Sequence, residues 1–168
     1  MKEGKVFCFH HGWHFLLADE FPMQKALEKH KDKNGRCFYE LDYIEENWER
    51  VTLPHTFNDT DLFRDRIKDA GSGQKRTAVF YRNYLTVPKE YCGQKVLIEF
   101  EGIRQTCYLY VNGKMVGYVE NGVAPFGFDL TPFIDYDEPN LIAVATDNTA
   151  TRETDFCIAE TPNKPDVI

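Results

Sequence analysis

Residues 107–119 read Cys-Tyr-Leu-Tyr-Val-Asn-Gly-Lys-Met-Val-Gly-Tyr-Val, two apolar and aromatic runs separated by Asn112-Gly113. Asn and Gly both tolerate the positive φ angles of a type I′ turn, so this dipeptide between two such runs is a strong hairpin signal. Aromatic and β-branched residues are also the types that strands favour. The stretch therefore predicts two antiparallel strands joined by a two-residue turn.

Similar runs recur about every ten residues on both sides of this hairpin. Upstream, period-two alternation over residues 79–87 places Val79 and Tyr81 on one strand face, and residues 96–100 form a second strand. Downstream, residues 126–130 and 141–145 supply two more. Short strands at this spacing, without crossover helices between them, indicate an antiparallel sandwich. We predict an all-β fold, a β-sandwich.

The flanking segments are less regular. Residues 1–41 form an irregular, partly helical extension with a short helix over residues 21–29, which begins near Pro22. One or two helical turns are predicted over residues 42–50, with Asp42 as N-cap. The tail carries two prolines and no periodicity. We therefore divide the chain into an extension packing on the sandwich (1–41), the sandwich (42–150) and a linker towards a following domain (151–168).

Composition narrows the range of partners and compartments. The 168 residues include 27 acidic and 20 basic side chains, a net charge of −7, whereas duplex-binding proteins need a basic face. We therefore expect no nucleic-acid partner, and no apolar run is long enough for a membrane partner. Five cysteines without a CxxC pair predict mostly free thiols. The compartment stays open between the cytoplasm and, where a leader has been removed, the periplasm or the outside of the cell.

The order of these pieces resembles the N-terminal sugar-binding domain of glycoside hydrolase family 2, the group of β-galactosidases, β-glucuronidases and β-mannosidases. Two segments carry most of the resemblance: Leu-Pro-His-Thr-Phe-Asn at residues 53–58 and Phe-Gly-Phe-Asp-Leu-Thr at residues 126–131. The series is completed by Gly-Trp-His-Phe at 12–15, Trp48, Tyr81-Arg82, Phe-Glu-Gly-Ile at 100–103, Tyr-Val-Asn-Gly at 110–113, Gly117, Pro125, Asn140 and Asp147-Asn148.

This resemblance implies a galactose-binding-domain-like jelly roll at the front of a larger retaining glycosidase of β-galactosidase type. An immunoglobulin-like domain and a (β/α)₈ barrel normally follow, and the barrel supplies both catalytic glutamates. Such a barrel alone needs about 250 residues, so no catalytic residue is expected in this chain. The implied partners are a carbohydrate substrate and the remaining domains of the parent chain, and a homo-oligomer of the whole enzyme stays open.

Three residues are candidates for contact with the substrate. The resemblance implies that Asp147 and Asn148, at the end of the last strand, line the sugar subsite, where a carboxylate accepts two hydroxyl donors. The alternative is an Asx turn that ends the strand. His55 lies either near the sugar and the barrel or in a loop that its side chain stabilises. Four aromatic residues could stack on a sugar or belong to the core: Tyr110, Tyr118, Phe126 and Phe128.

No metal or cofactor is expected. His10, His11 and His14, and the carboxylates Asp59, Asp61 and Asp65, are metal-binding types, but their sequence spacing does not bring ligands together from defined directions. Two alternatives to a hydrolase domain remain. One is a free-standing carbohydrate-binding module with its own aromatic platform or polar cleft. The other is a structural docking domain that presents an apolar patch and contacts no sugar.

Overall fold

The computed structural model describes residues 4–57, 77–103, 105–121 and 124–147, and these fold into two antiparallel sheets. The elements in chain order are β1 (Trp13–Leu17), α1 (Met23–Lys29), β2 (Glu49–Val51), β3 (Ala78–Thr86), β4 (Leu97–Phe100), β5 (Gln105–Val111), β6 (Lys114–Asn121), β7 (Phe126–Asp129) and β8 (Pro139–Asp147). The larger sheet has the order β2-β1-β3-β8-β5-β6, and the smaller one pairs β4 with β7.

The predicted hairpin is confirmed as β5 and β6. Asn112 and Gly113 adopt the positive φ angles that the turn requires, 49° and 81°. The Asn112 side chain also ties the turn to β8, because its Oδ1 accepts a 2.9 Å hydrogen bond from the backbone N–H of Leu141. The hairpin is thereby fixed against the central strand of the larger sheet.

The inner core lies between the two sheets. Leu109, Val111, Ile142 and Val144 of the larger sheet face Ile98, Phe100, Phe126 and Phe128 of the smaller one. The sheets approach closely at Gly117, where an added Cβ would lie 2.4 Å from the Phe128 ring. The predicted β-sandwich is therefore confirmed, with its core formed by alternate residues of each strand.

A second cluster covers the outer face of the larger sheet. Phe80 of β3 and three residues of β8 pack there against Ala18, Met23, Ala26 and Phe38 of the N-terminal segment. The rings of Phe38 and Phe80 stack with their centroids 4.4 Å apart. Because both faces of β8 are covered, the apolar run over residues 141–145 is continuous instead of alternating.

Arg82 fastens the N-terminal segment to this outer face. Its side chain is 1% exposed and its Nε lies 2.8 Å from a carboxylate oxygen of Glu45. Its Nη1 donates to the backbone carbonyls of Phe38 and Glu40, and the Glu45 carboxylate also bonds the His14 ring. We call Arg82, Glu45, His14 and these two carbonyls the Arg82 cluster.

One local prediction for the N-terminal segment was incorrect, and one strand was missed. Residues 42–50 are not helical but form a turn and an extended stretch that leads into β2. Asn47 there has a φ of 62°, outside the helical range, and tertiary contacts of Glu45 with Arg82 override the local preference. The sequence pattern also missed β1, which pairs with both β2 and β3. The short helix is confirmed, with Pro22 immediately before its first residue.

Candidate functional site

Asp147 is the last residue of the central strand β8 and is only 7% exposed. On one side it pairs with Ala78 of β3. On the other side its backbone N–H donates a 2.9 Å hydrogen bond to the Thr106 hydroxyl of β5, and that hydroxyl donates to the Asp147 carbonyl. The backbone that carries the carboxylate is therefore held from both neighbouring strands.

A row of polar residues crosses the sheet at this end. Thr106 is in register with Glu120 of β6, so Asp147, Thr106 and Glu120 lie side by side on three adjacent strands. Alternation along β8 places Asp147 on the same face as Ala145, which belongs to the outer cluster. The row therefore lies on the outer face of the larger sheet.

Two tyrosines form the next row. Tyr108 pairs with Ala145 on one side and Tyr118 on the other, and the two tyrosine rings pack with centroids 4.6 Å apart. The Tyr118 hydroxyl donates a hydrogen bond to the Glu120 carboxylate, and Tyr118 is 40% exposed. We call Asp147, Thr106, Glu120, Tyr108 and Tyr118 the strand-end site.

The carboxylates of the strand-end site raise the pKa values of its two tyrosines. Burial raises the pKa of Tyr108, and the negative charge of Asp147 raises it further. Burial and the hydrogen bond to Glu120 raise the pKa of Tyr118. Both hydroxyls are therefore protonated at neutral pH, and the single O–H of Tyr118 donates to Glu120.

His55 lies elsewhere. Its Nδ1 is 3.0 Å from the Tyr81 hydroxyl, and its ring packs edge-on against Phe15 at 4.6 Å. Burial raises the pKa of Tyr81, whose side chain packs against the inner core. His55 therefore lies on the opposite side of the larger sheet from the Asp147 side chain, and the structure does not bring the two together. Asn148 lies outside the described residues.

The four aromatic candidates separate clearly. Tyr110 stacks on Tyr39 at 4.4 Å and is covered by the N-terminal segment, whereas Phe126 and Phe128 pack against the inner core. Tyr118 is the one residue of the four that is exposed. Sequence reasoning did not single out Thr106 or Glu120. A regular hairpin with a two-residue turn would pair Thr106 with Val119, and the irregularity between Leu109 and Tyr110 shifts the register so that Thr106 lies opposite Glu120.

The remaining candidate residues have other contacts or lie outside the described ranges. Within that part of the chain, no group of three or more His, Cys, Asp or Glu side chains could hold a metal ion. His14 is bonded to Glu45 instead, and Asp59, Asp61 and Asp65 lie outside the described ranges. Cys8, Cys37, Cys92 and Cys107 are free thiols. Among the described helices, none is long and apolar enough to span a membrane.

Comparison with known sequences identifies the family of this chain. The profile described as "Glycosyl hydrolases family 2, sugar binding domain" matches residues 37–155. A β-glucuronidase of Formosa agariphila is 43% identical over 118 residues, which are 68% of this chain and 12% of that protein. A β-galactosidase of Thermoanaerobacter pseudethanolicus is 38% identical over 66% of this chain and 14% of its own length. The chain thus spans about an eighth of these curated relatives.

Solved structures give the same answer. A β-glucuronidase from glycoside hydrolase family 2 superposes with a TM-score of 0.65 at 36% identity, covering 83% of this chain and 13% of that one. A Bacteroides uniformis β-glucuronidase superposes with a TM-score of 0.63 at 25% identity, covering 85% and 14%. These matches confirm the predicted all-β antiparallel fold and the resemblance noted in the sequence.

Proposed function

Because this chain belongs to the sugar-binding domains of family 2 glycosyl hydrolases, we propose that it is the N-terminal, non-catalytic domain of a retaining glycosidase. The whole enzyme would hydrolyse terminal β-glycosides. The observation that carries this proposal is the family match over residues 37–155 in a chain that spans only 12–14% of its hydrolase relatives. We expect a β-galactoside as substrate, and the β-glucuronidase relative makes a β-glucuronide the second class to test.

In such an enzyme the described residues do not cut the glycosidic bond. Retaining hydrolysis uses one carboxyl group as acid and base and a second as nucleophile, about 5 Å apart, and both would come from a following barrel. The partners of this domain are then the remaining domains of its parent chain and the carbohydrate. We keep the division into an extension (1–41), the domain (42–150) and a linker (151–168), with β1 of the extension paired into the larger sheet of the domain. The whole enzyme could self-associate as a homo-oligomer.

Asp147 is the residue that we assign to the sugar subsite, together with Asn148 beside it. Hydrogen bonds from β5 and the ladder with β3 hold the Asp147 backbone, so its carboxylate extends from a fixed position on the sheet and can accept sugar hydroxyls there. For His55, the contacts with Phe15 and Tyr81 favour the loop-stabilising role over direct contact with the sugar.

The first experiment measures hydrolysis of a nitrophenyl glycoside panel by the uninterrupted gene product, with the 168-residue chain assayed beside it. We expect the longer protein to cleave, with a preference for the β-galactoside, and the short chain to be inactive. Failure of the gene product to cleave any glycoside would contradict the proposal. The chain would then be tested as a carbohydrate-binding module, which the exposed Tyr118 favours, or as a docking domain.

A second experiment tests Asp147 itself. Asp147→Asn in the gene product should lower kcat/KM by about tenfold to a hundredfold, the value of one or two lost charge-assisted hydrogen bonds. Asp129→Asn is the matched control, because Asp129 also ends a strand and its carboxylate accepts a 3.0 Å bond from the backbone N–H of Thr131. Equal losses in the two variants would show that Asp147 has only a structural role.

A further inference from the structure

We propose that Tyr118, with Tyr108 and Glu120, binds a second sugar ring, next to the ring that Asp147 contacts. The strand-end site would thus recognise an oligosaccharide and not only a terminal sugar. This inference rests on the proposed function, which assigns Asp147 to the first sugar. Tyr118 is one of the four aromatic candidates in the sequence, and the strand register adds Tyr108 and Glu120 beside it.

The spacing of the strands fits two linked sugars. Asp147 and Glu120 lie in one row, two strands apart, which corresponds to about 10 Å between their backbones. Two adjoining pyranose rings extend over a similar length. The Tyr118 ring is in the following row and on the same face as Glu120, so it lies beside the position that the second ring would occupy.

The chemistry of the surface is that of a carbohydrate site. A pyranose ring presents apolar C–H groups on its faces and hydroxyls around its edge. A tyrosine offers a flat apolar body with a polar tip, and a carboxylate accepts hydroxyl donors. Here the two occur together, because the Tyr118 hydroxyl is bonded to Glu120 and its ring packs on Tyr108.

The surface is also held in place before any ligand binds. Tyr118 lies on a regular strand, its ring is restrained by Tyr108, and its hydroxyl is restrained by Glu120. A ring that is already oriented loses little rotamer freedom on binding. The free energy gained from contact with a sugar is therefore not cancelled by the entropy cost of ordering the side chain. A core role does not account for a tyrosine that remains 40% exposed.

The experiment compares Tyr118→Ala with two other variants of the gene product. Tyr118→Phe keeps the ring and removes the bond to Glu120. Met115→Ala is the matched control, because Met115 lies on the same strand and is 51% exposed. Each protein is assayed on β-linked galacto-, gluco- and manno-trisaccharides and on the matching nitrophenyl monosaccharides.

We expect Tyr118→Ala to lower the ratio of kcat/KM on the preferred trisaccharide to kcat/KM on the nitrophenyl glycoside by roughly tenfold, mainly through KM. Tyr118→Phe should lose less, and Met115→Ala should keep the ratio of the unmodified protein. An unchanged ratio in Tyr118→Ala overturns the inference while the hydrolase assignment stands. Equal losses on both substrates also overturn it and point to packing against another domain.

A binding measurement keeps the inference testable if no glycoside is cleaved. Isothermal titration of the gene product with the same trisaccharides would then show binding that Tyr118→Ala abolishes and Met115→Ala retains. In that case the hydrolase proposal fails and the oligosaccharide surface stands. Absence of binding by the unmodified protein, or equal binding by Tyr118→Ala, overturns the surface as well.

Discussion

Replacing Arg82 with methionine is expected to release residues 38–48 from the outer face of the larger sheet. The substitution keeps most of the side-chain length but removes the charge beside Glu45 and the donors that face the carbonyls of Phe38 and Glu40. Removing one partner of a buried ion pair costs about 3–5 kcal/mol, because the remaining charge is left in a poorly solvated position. Glu45 is 18% exposed and partly screened, so we expect about 4 kcal/mol.

That loss is large enough to measure without ambiguity. For a domain of about 150–250 residues each kcal/mol moves the melting temperature by about 2–4 °C, so the expected drop is about 12 °C. Urea unfolding followed by circular dichroism gives the free energy. Limited proteolysis of the folded protein should show faster cleavage within residues 38–48 in Arg82→Met.

The double variant Arg82→Met/Glu45→Gln tests the cause. If the buried charge is what destabilises the single variant, neutralising Glu45 should recover more than about 1 kcal/mol relative to the sum of the single changes. Arg82→Lys should lie between, because it keeps the charge but cannot reproduce the planar set of donors. A loss below 1 kcal/mol in Arg82→Met, or strict additivity in the double variant, would refute the reasoning.

Three further predictions concern single closely packed or buried positions. Gly127→Ala should cost about 1–3 kcal/mol in urea unfolding, since its Cβ would lie 2.7 Å from a backbone carbonyl of β4. Gly4→Ala is the control and should be neutral, because an added Cβ would have nothing within 4 Å. Equal urea midpoints for Gly127→Ala and Gly4→Ala would contradict the prediction. Asn140→Ala should cost about 3 kcal/mol, because the buried amide bonds to three backbone carbonyls and two N–H donors; a loss under 1 kcal/mol in urea would contradict it. Burial raises the pKa of Cys107 from 9.0 to about 12, so stability should fall as pH rises through this range, and Cys107→Ala should flatten that fall in alkaline melts.

The strands after residue 77 could be predicted from the sequence because their signals are local. Asn112-Gly113 sets the turn of β5 and β6, and alternation sets the faces of β3. The buried run in β8 was also visible, because a strand covered on both faces has no polar alternation. Each of these patterns requires only the residues of one or two neighbouring strands.

The N-terminal segment could not be predicted in the same way. Residues 42–50 carry a local helical preference, but their extended course depends on Arg82, more than thirty residues later. β1 is short and pairs with strands that follow it at long range. The strand-end site combines both cases: the family resemblance points to Asp147, whereas Thr106 and Glu120 become its neighbours only through sheet order and register.

The position of Asp147 follows from the burial of the strand before it. β8 lies between β3 and β5 and is covered on both faces. Neither its register with these strands nor its position between the two packed layers can change without disturbing both cores. A polar residue within that strand would need buried partners, whereas one at its end can face a ligand while the ladder still holds its backbone. Hydrogen bonding from β8 to β5 and from β5 to β6 also fixes the positions of Thr106, Glu120 and Tyr118 relative to Asp147. The two proposed sugar contacts, at Asp147 and at Tyr118, therefore depend on one rigid element, and loosening β8 should weaken both together.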